Sequence, residues 1–117
     1  MRVEFAGHGF VYGEESASPD GRLRVLWGYS DGERTPLLEE PRFVDAATGE
    51  VILDLWHTSH TYLIRFSRGG ELILIVQNPF TGTSHLAVID CERRTFTLDG
   101  AQADEPLAAL RERVRPL

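Results

Sequence analysis

Lysine does not occur in this 117-residue chain, so all twelve bases are arginine. Eighteen carboxylates stand against them, for a net charge of −6. Phosphate backbones and anionic bilayers are held by basic clusters that displace counterions. Nucleic acid and membrane are therefore not expected partners. An acidic surface suits a basic protein, through steering and field complementarity; it also keeps a small protein soluble. Cysteine is nearly absent too. Cys91 is the only one, so no intrachain disulfide can form, and no oxidising compartment is needed. Long apolar runs are missing as well. The longest, Leu72 to Val76, is far too short to span a bilayer. The opening MRVEFAGHGF lacks the apolar run of a signal peptide, and a cytoplasmic location is the expectation.

Catalytic signatures are scarce. Gly-x-Ser-x-Gly does not occur, and Ser30, Ser59 and Ser84 fall in turn-like contexts without a strand-to-helix elbow. Cys91 lies between Asp90 and Glu92, whose charges raise a thiol pKa and blunt its nucleophilicity. Glu14-Glu15 and Glu39-Glu40 are adjacent pairs. Neighbours on a strand point apart, so neither makes an acid/base dyad. Gly7-His8-Gly9 lacks the further glycine and the helix that a phosphate cradle requires. No catalytic residue and no cofactor are assigned.

What is present is turn chemistry between short apolar strands. With hydrophobic residues at 42% and charged residues at 26%, the composition is that of an ordinary globular domain, and 1–117 reads as one unit. Leu23, Val25 and Trp27 alternate with Arg22, Arg24 and Leu26, the pattern of a half-buried antiparallel strand. Trp27 is expected in the core. Pro19-Asp20-Gly21 and Ser30-Asp31-Gly32 are hairpin signals. The segment Glu33 to Pro41 holds two prolines and predicts a loop or an edge strand. Leu72 to Gln77 is apolar on both faces and predicts a central strand covered on both sides. Leu107, Leu110 and Val114 then recur at helical spacing, which predicts an amphipathic helix over 105–115 with Asp104 as its N-cap and arginines at its far end. The expected fold is mainly β: an antiparallel meander or sandwich-like sheet of eight or nine short strands with one C-terminal helix.

The strands also recur. SPDGRLRVLWG begins at Ser18 and SRGGELILIVQ at Ser67; RFVDAATGEVILDL begins at Arg42 and LAVIDCERRTFTLDG at Leu86. The order is shared and the spacing nearly equal, suggesting an internal duplication over 18–55 and 67–100. Strand, Asp-Gly turn, strand, repeated in this way, resembles the blade repeats of β-propellers. Leu55-Trp56-His57 and Leu98-Asp99-Gly100 stand where many such blades end in Trp-Asp. A propeller needs about four blades or more to close, so the resemblance implies self-association; a sandwich or curled sheet is the fold expected of a single chain.

Three functional readings follow. The first is a bacterial-type, non-catalytic protein-binding module, such as an immunity- or inhibitor-like protein or an accessory subunit, acting through Trp56, Tyr62, Glu39 and Glu40. An exposed Trp56 near Arg42 or Tyr62 would be a binding hot spot. The second is a metal or small-ligand site, or an enzyme, using His57, His60 and His85. His57 and His60 share a metal only if Thr58-Ser59 forms a turn, because residues three apart on a strand face opposite ways. Surface histidines at a hairpin end are the bland alternative. The third is a self-associating structural subunit that completes its sheet or ring.

Overall fold

The computed structural model describes residues 4–5, 10–30, 38–67 and 71–117. Gly7-His8-Gly9, the Asp31-Gly32 part of the expected hairpin signal and Arg68-Gly69-Gly70 lie outside the described residues, as do 33–37. Strands β1 (Glu4–Phe5), β2 (Phe10–Ala17), β3 (Leu23–Ser30), β4 (Glu39–Asp45) and β5 (Val51–Asp54) form one antiparallel sheet in that order. Strands β6 (Thr61–Phe66), β7 (Leu72–Gln77), β8 (Ser84–Asp90), β9 (Thr95–Leu98) and β10 (Glu105–Pro106) form a second, again in chain order. The expected mainly-β meander with a C-terminal helix is the observed architecture. The alternating strands bury one side each. Leu23, Val25, Phe43 and Leu53 from the first sheet meet Leu72, Leu74, Ala87, Ile89 and Phe96 from the second in one core. Each of these side chains larger than alanine contributes about 1.5–3 kcal/mol of transfer free energy.

Three hairpin loops share one build. In Asp45–Gly49, Asp90–Arg94 and Asn78–Gly82 the first side chain accepts the two backbone N–H groups that follow at i+2 and i+3. Its carbonyl accepts the N–H of the fifth residue at 2.8 Å in each loop. That fifth residue adopts a left-handed conformation: Gly49 at φ 77°, Gly82 at φ 76° and Arg94 at φ 56°. Glycine is the cheap choice there. Arg94 instead reaches across to the Asp45 carboxylate of the other sheet. Both substitutions of Arg94 lose that ion pair, so comparing them isolates the backbone term. Arg94→Gly is expected to be more stable than Arg94→Ala by about 1 kcal/mol, measured by urea denaturation. The reverse order would show that the loop repositions residue 94.

Ser18 and Ser67 play the same local part. Each closes a hairpin, Ser18 the one into β3 and Ser67 the one into β7, through its N–H and its Oγ. Carboxylates hold several of these corners. Asp20 takes the Ser18 hydroxyl at 2.6 Å, Asp45 takes the N–H groups of Thr48 and Ala47, and Asp99 takes His85 Nδ1 at 2.7 Å. These bonds favour the ionised form and hold all three below the usual carboxylate range. A depressed folded pKa contributes stability above the unfolded pKa of about 4, and that stability is lost as pH falls through the lower folded values. Urea midpoints are therefore expected to be flat from about pH 7 to 5 and to fall below about pH 4. Equal midpoints at pH 7 and pH 3 would remove these corners from the account.

Three expectations need correction. Pro41 lies inside β4, an interior strand, and not on an edge. Its carbonyl accepts Leu55 N–H at 3.0 Å, just beyond the end of β5, so the missing proline donor breaks the ladder only at its last rung. The carbonyl that this donor would have served, Leu55 O, instead lies 2.7 Å from Thr58 Oγ1. Next, β7 is interior and its inner face is fully buried, but Ile73 and Ile75 on its outer face are only half-buried. Their lateral neighbours Leu63 and Leu86 are 44% and 41% exposed. Last, the helix is shorter than 105–115. Pro106 takes φ −58° and ψ 137°, which is extended, so Glu105–Pro106 pairs with β9 as β10. A 3-10 turn at Leu107–Ala109 then leads into helix α1 (Leu110–Val114). Asp104 does not cap it; its carboxylate lies 3.5 Å from Arg93. The helical spacing itself holds, with Leu107, Leu110 and Val114 all buried.

Candidate functional site

Glu39 and Glu40 begin β4 and point apart, as strand geometry requires. Glu40 is 2% exposed. Its Oε1 accepts His57 N–H at 3.0 Å, and its Oε2 accepts Thr58 N–H at 3.0 Å and His60 N–H at 3.3 Å and lies 2.7 Å from Thr58 Oγ1. One buried carboxylate thus collects the donors of the β5–β6 connection. That connection carries two non-glycine residues in left-handed backbone, His57 at φ 67° and Ser59 at φ 63°. Such conformations persist only where surrounding bonds over-determine them, and the Glu40 carboxylate supplies those bonds.

The carboxylate also sets the position of Tyr62. Tyr62 Oη lies 2.5 Å from Thr58 Oγ1. The single Thr58 proton goes to Glu40 or to Leu55 O, so the Tyr62 hydroxyl donates to Thr58. Burial pushes the ionisation of Tyr62 well up, and the Glu40 charge adds to this. The phenol keeps its proton and its bond. His60 sits beside Tyr62, with ring centroids 6.4 Å apart. Its Nδ1 is 2.7 Å from Thr58 O, while its buried Nε2 has no hydrogen-bond partner.

The other face of the tyrosine opens on a groove of about 290 Å³ lined by Ser16, Trp27, Glu39, Tyr62, Leu63, Ile64 and Phe66. It runs between the first sheet and the edge of β6 that no strand among the described residues pairs with. Leu63 and Phe66 are 44% and 43% exposed. Glu39 is exposed at one end and, among the described residues, is the groove's only charged lining residue.

The residues singled out from the sequence therefore divide. Tyr62 and Glu39 meet in the groove. Glu40, His57 and His60 meet behind it. Trp56 is 2% exposed and offers no contact surface. Its Nε1 donates to Leu26 O at 3.2 Å, and the Arg42 guanidinium lies 3.6 Å from the ring centroid, itself paired with Asp54 at 3.1 Å. The cation covers the ring that the sequence would leave open. His85 lies elsewhere, on Asp99. Among the described residues, no group of three or more His, Cys, Asp or Glu side chains is placed to hold a metal ion. Trp27, expected in the core, is only partly buried and lines the groove. Arg111, one of the arginines expected to complement the helix dipole, donates from its Nη1 to Asp54 O at 2.7 Å and Trp56 O at 2.9 Å, tying α1 to the same connection.

A second cleft, of about 320 Å³, lies at the opposite corner and is lined by Gly21, Arg22, Asp45, Ala47, Cys91, Glu92 and Arg94. Its charges pair with one another, Arg94 with Asp45 and Arg22 with Glu92, so it is a seam between the sheets. Burial, more than the charges of Asp20 and Asp90, pushes the Cys91 thiol up to about 11, and this sulfur is a packed core atom. No helix among the described residues is long and apolar enough to cross a membrane. Comparison of the chain with protein-family models, with curated proteins and with solved structures gave no match.

Proposed function

We propose that this chain is a non-catalytic protein-binding module, inhibitor-like or an accessory subunit, and that the groove beside β6 is its contact surface. One observation carries the reading: aromatic and aliphatic side chains, Trp27, Tyr62, Ile64 and Phe66, line an open groove that has Glu39 as its one charge among the described residues. Aromatics in a partly desolvated pocket are the usual anchors of interfaces. Capture from host lysate with tagged protein, beside a Phe66→Asp and a Glu39→Arg control, tests it. A partner retained by the wild type and lost from both variants is expected. The same set of proteins on all three baits would overturn the reading.

Self-association is the second reading, favoured by the outward row Leu63, Ile75 and Leu86 across three neighbouring strands. Sedimentation of a Leu63→Arg variant tests it, with a dimer in the wild type and a monomer in the variant as the expected pair.

A further inference from the structure

Resting on the protein-binding reading, we infer that the groove is the seat of one added β-strand, an extended partner segment with alternating apolar side chains and an arginine or lysine that meets Glu39. Four observations lead there. First, β6 ends its sheet, and among the described residues no strand pairs with it on its far side. Its open backbone groups are a template for a further strand. Second, the groove follows that edge. Tyr62, Ile64 and Phe66 belong to the inner face by their pairing with Val76, Leu74 and Leu72, while Leu63 belongs to the outer face. A cavity bordered by both parities lies along the edge of the strand, not beneath its face. A strand laid there would cover Ser16 and Trp27 of the first sheet.

Third, β6 is longer and less protected than the edges at β5 and β10. The outer edge of the first sheet at β5 is covered by the 3-10 turn and by Arg111. Edge strand β10 has two residues, one of them proline, and such short, proline-bearing edges resist pairing. The six residues of β6 contain no proline and a single charge, Arg65. Arg65 pairs laterally with Ile73 on the outer face, and its Nη1 reaches Ile64 O at 3.3 Å, a single exposed bond that an incoming strand would displace. Fourth, the charges choose the occupant. A net charge of −6 with Glu39 at the groove's end favours a basic segment over an acidic one.

The probe is a set of capped heptapeptides in which valine and threonine alternate and one arginine is placed at each position in turn. Binding is read from tryptophan fluorescence and from the amide resonances of β6. Binding is expected to depend on the arginine's position, with one register preferred. The preferred peptide should weaken at least about threefold against Glu39→Gln. Replacing its arginine by glutamate should weaken it further, and N-methylation of alternate amides should abolish it in one phase of the alternation only. Binding indifferent to N-methylation, or no binding at millimolar peptide, would overturn strand addition. In that event a lysate partner lost from the Phe66→Asp bait would leave the protein-binding reading standing. A wild-type dimer that Leu63→Arg dissociates, and that excludes the peptides, would overturn the foreign segment in favour of a second copy.

Discussion

Glu40→Ala is expected to destabilise the protein by about 3 kcal/mol or more, read as a fall of roughly 10–20 °C in Tm. The substitution removes the acceptor for the N–H groups of His57, Thr58 and His60. Thr58 and His60 are buried, and a buried donor left unpaired costs about 1–3 kcal/mol. Release of the left-handed backbone at His57 and Ser59 offsets part of this. Glu40→Gln keeps one oxygen acceptor but turns an NH₂ group toward backbone donors, so its loss should fall between wild type and alanine. The same variant should move Tyr62, whose hydroxyl bond depends on Thr58, and groove binding should weaken along with stability. A loss below about 1 kcal/mol for alanine would mean that water replaces the carboxylate.

Phe43→Ala is expected to cost about 3–5 kcal/mol, with the urea midpoint falling and the slope unchanged. Phe43 is fully buried. It stands between Val25 and Leu53 in the register of the first sheet, so its ring fills the layer from which that sheet meets the second. Removing it leaves a cavity bounded by backbone ladders that cannot close inward. Phe43→Leu retains much of the volume and should cost less than half as much. If alanine and leucine were equally tolerated, the core would have to pass through other side chains.

The strand order was legible because local chemistry specifies it. Asp45 and Asp90, each opening a five-residue loop, and Ser18 and Ser67, each closing a hairpin, mark turns whose geometry depends on a few adjacent atoms. The short helix was misplaced because Pro106 admits both a first helical turn and an extended rung, and pairing with β9 decided between them. The divergence of Glu39 and Glu40 could be read from alternation alone. Which of them is buried could not, since that depends on the β5–β6 connection folding back over β4 from 17 to 20 residues away. Trp56 was misjudged for a similar reason. Arg42 was expected nearby, but as part of an exposed surface; that its guanidinium lies over the ring and covers it depends on packing between β4 and the turn after β5. Trp27 follows the apolar alternation of β3 faithfully, but the sandwich opens at its level.

The chain-order arrangement of both sheets has a kinetic consequence. Each strand pairs with the strand beside it in sequence, so every ladder closes a short loop and little chain entropy is lost at each step. Sandwiches that interleave distant strands fold slowly because long loops must close before contacts reward them. Here each meander can zip from its own turns, and the one distant event is the meeting of two preformed layers around Phe43 and the Arg94–Asp45 pair. Refolding should therefore be fast for an all-β chain, and core substitutions such as Phe43→Ala should act on the docking of the layers more than on the zipping of either one.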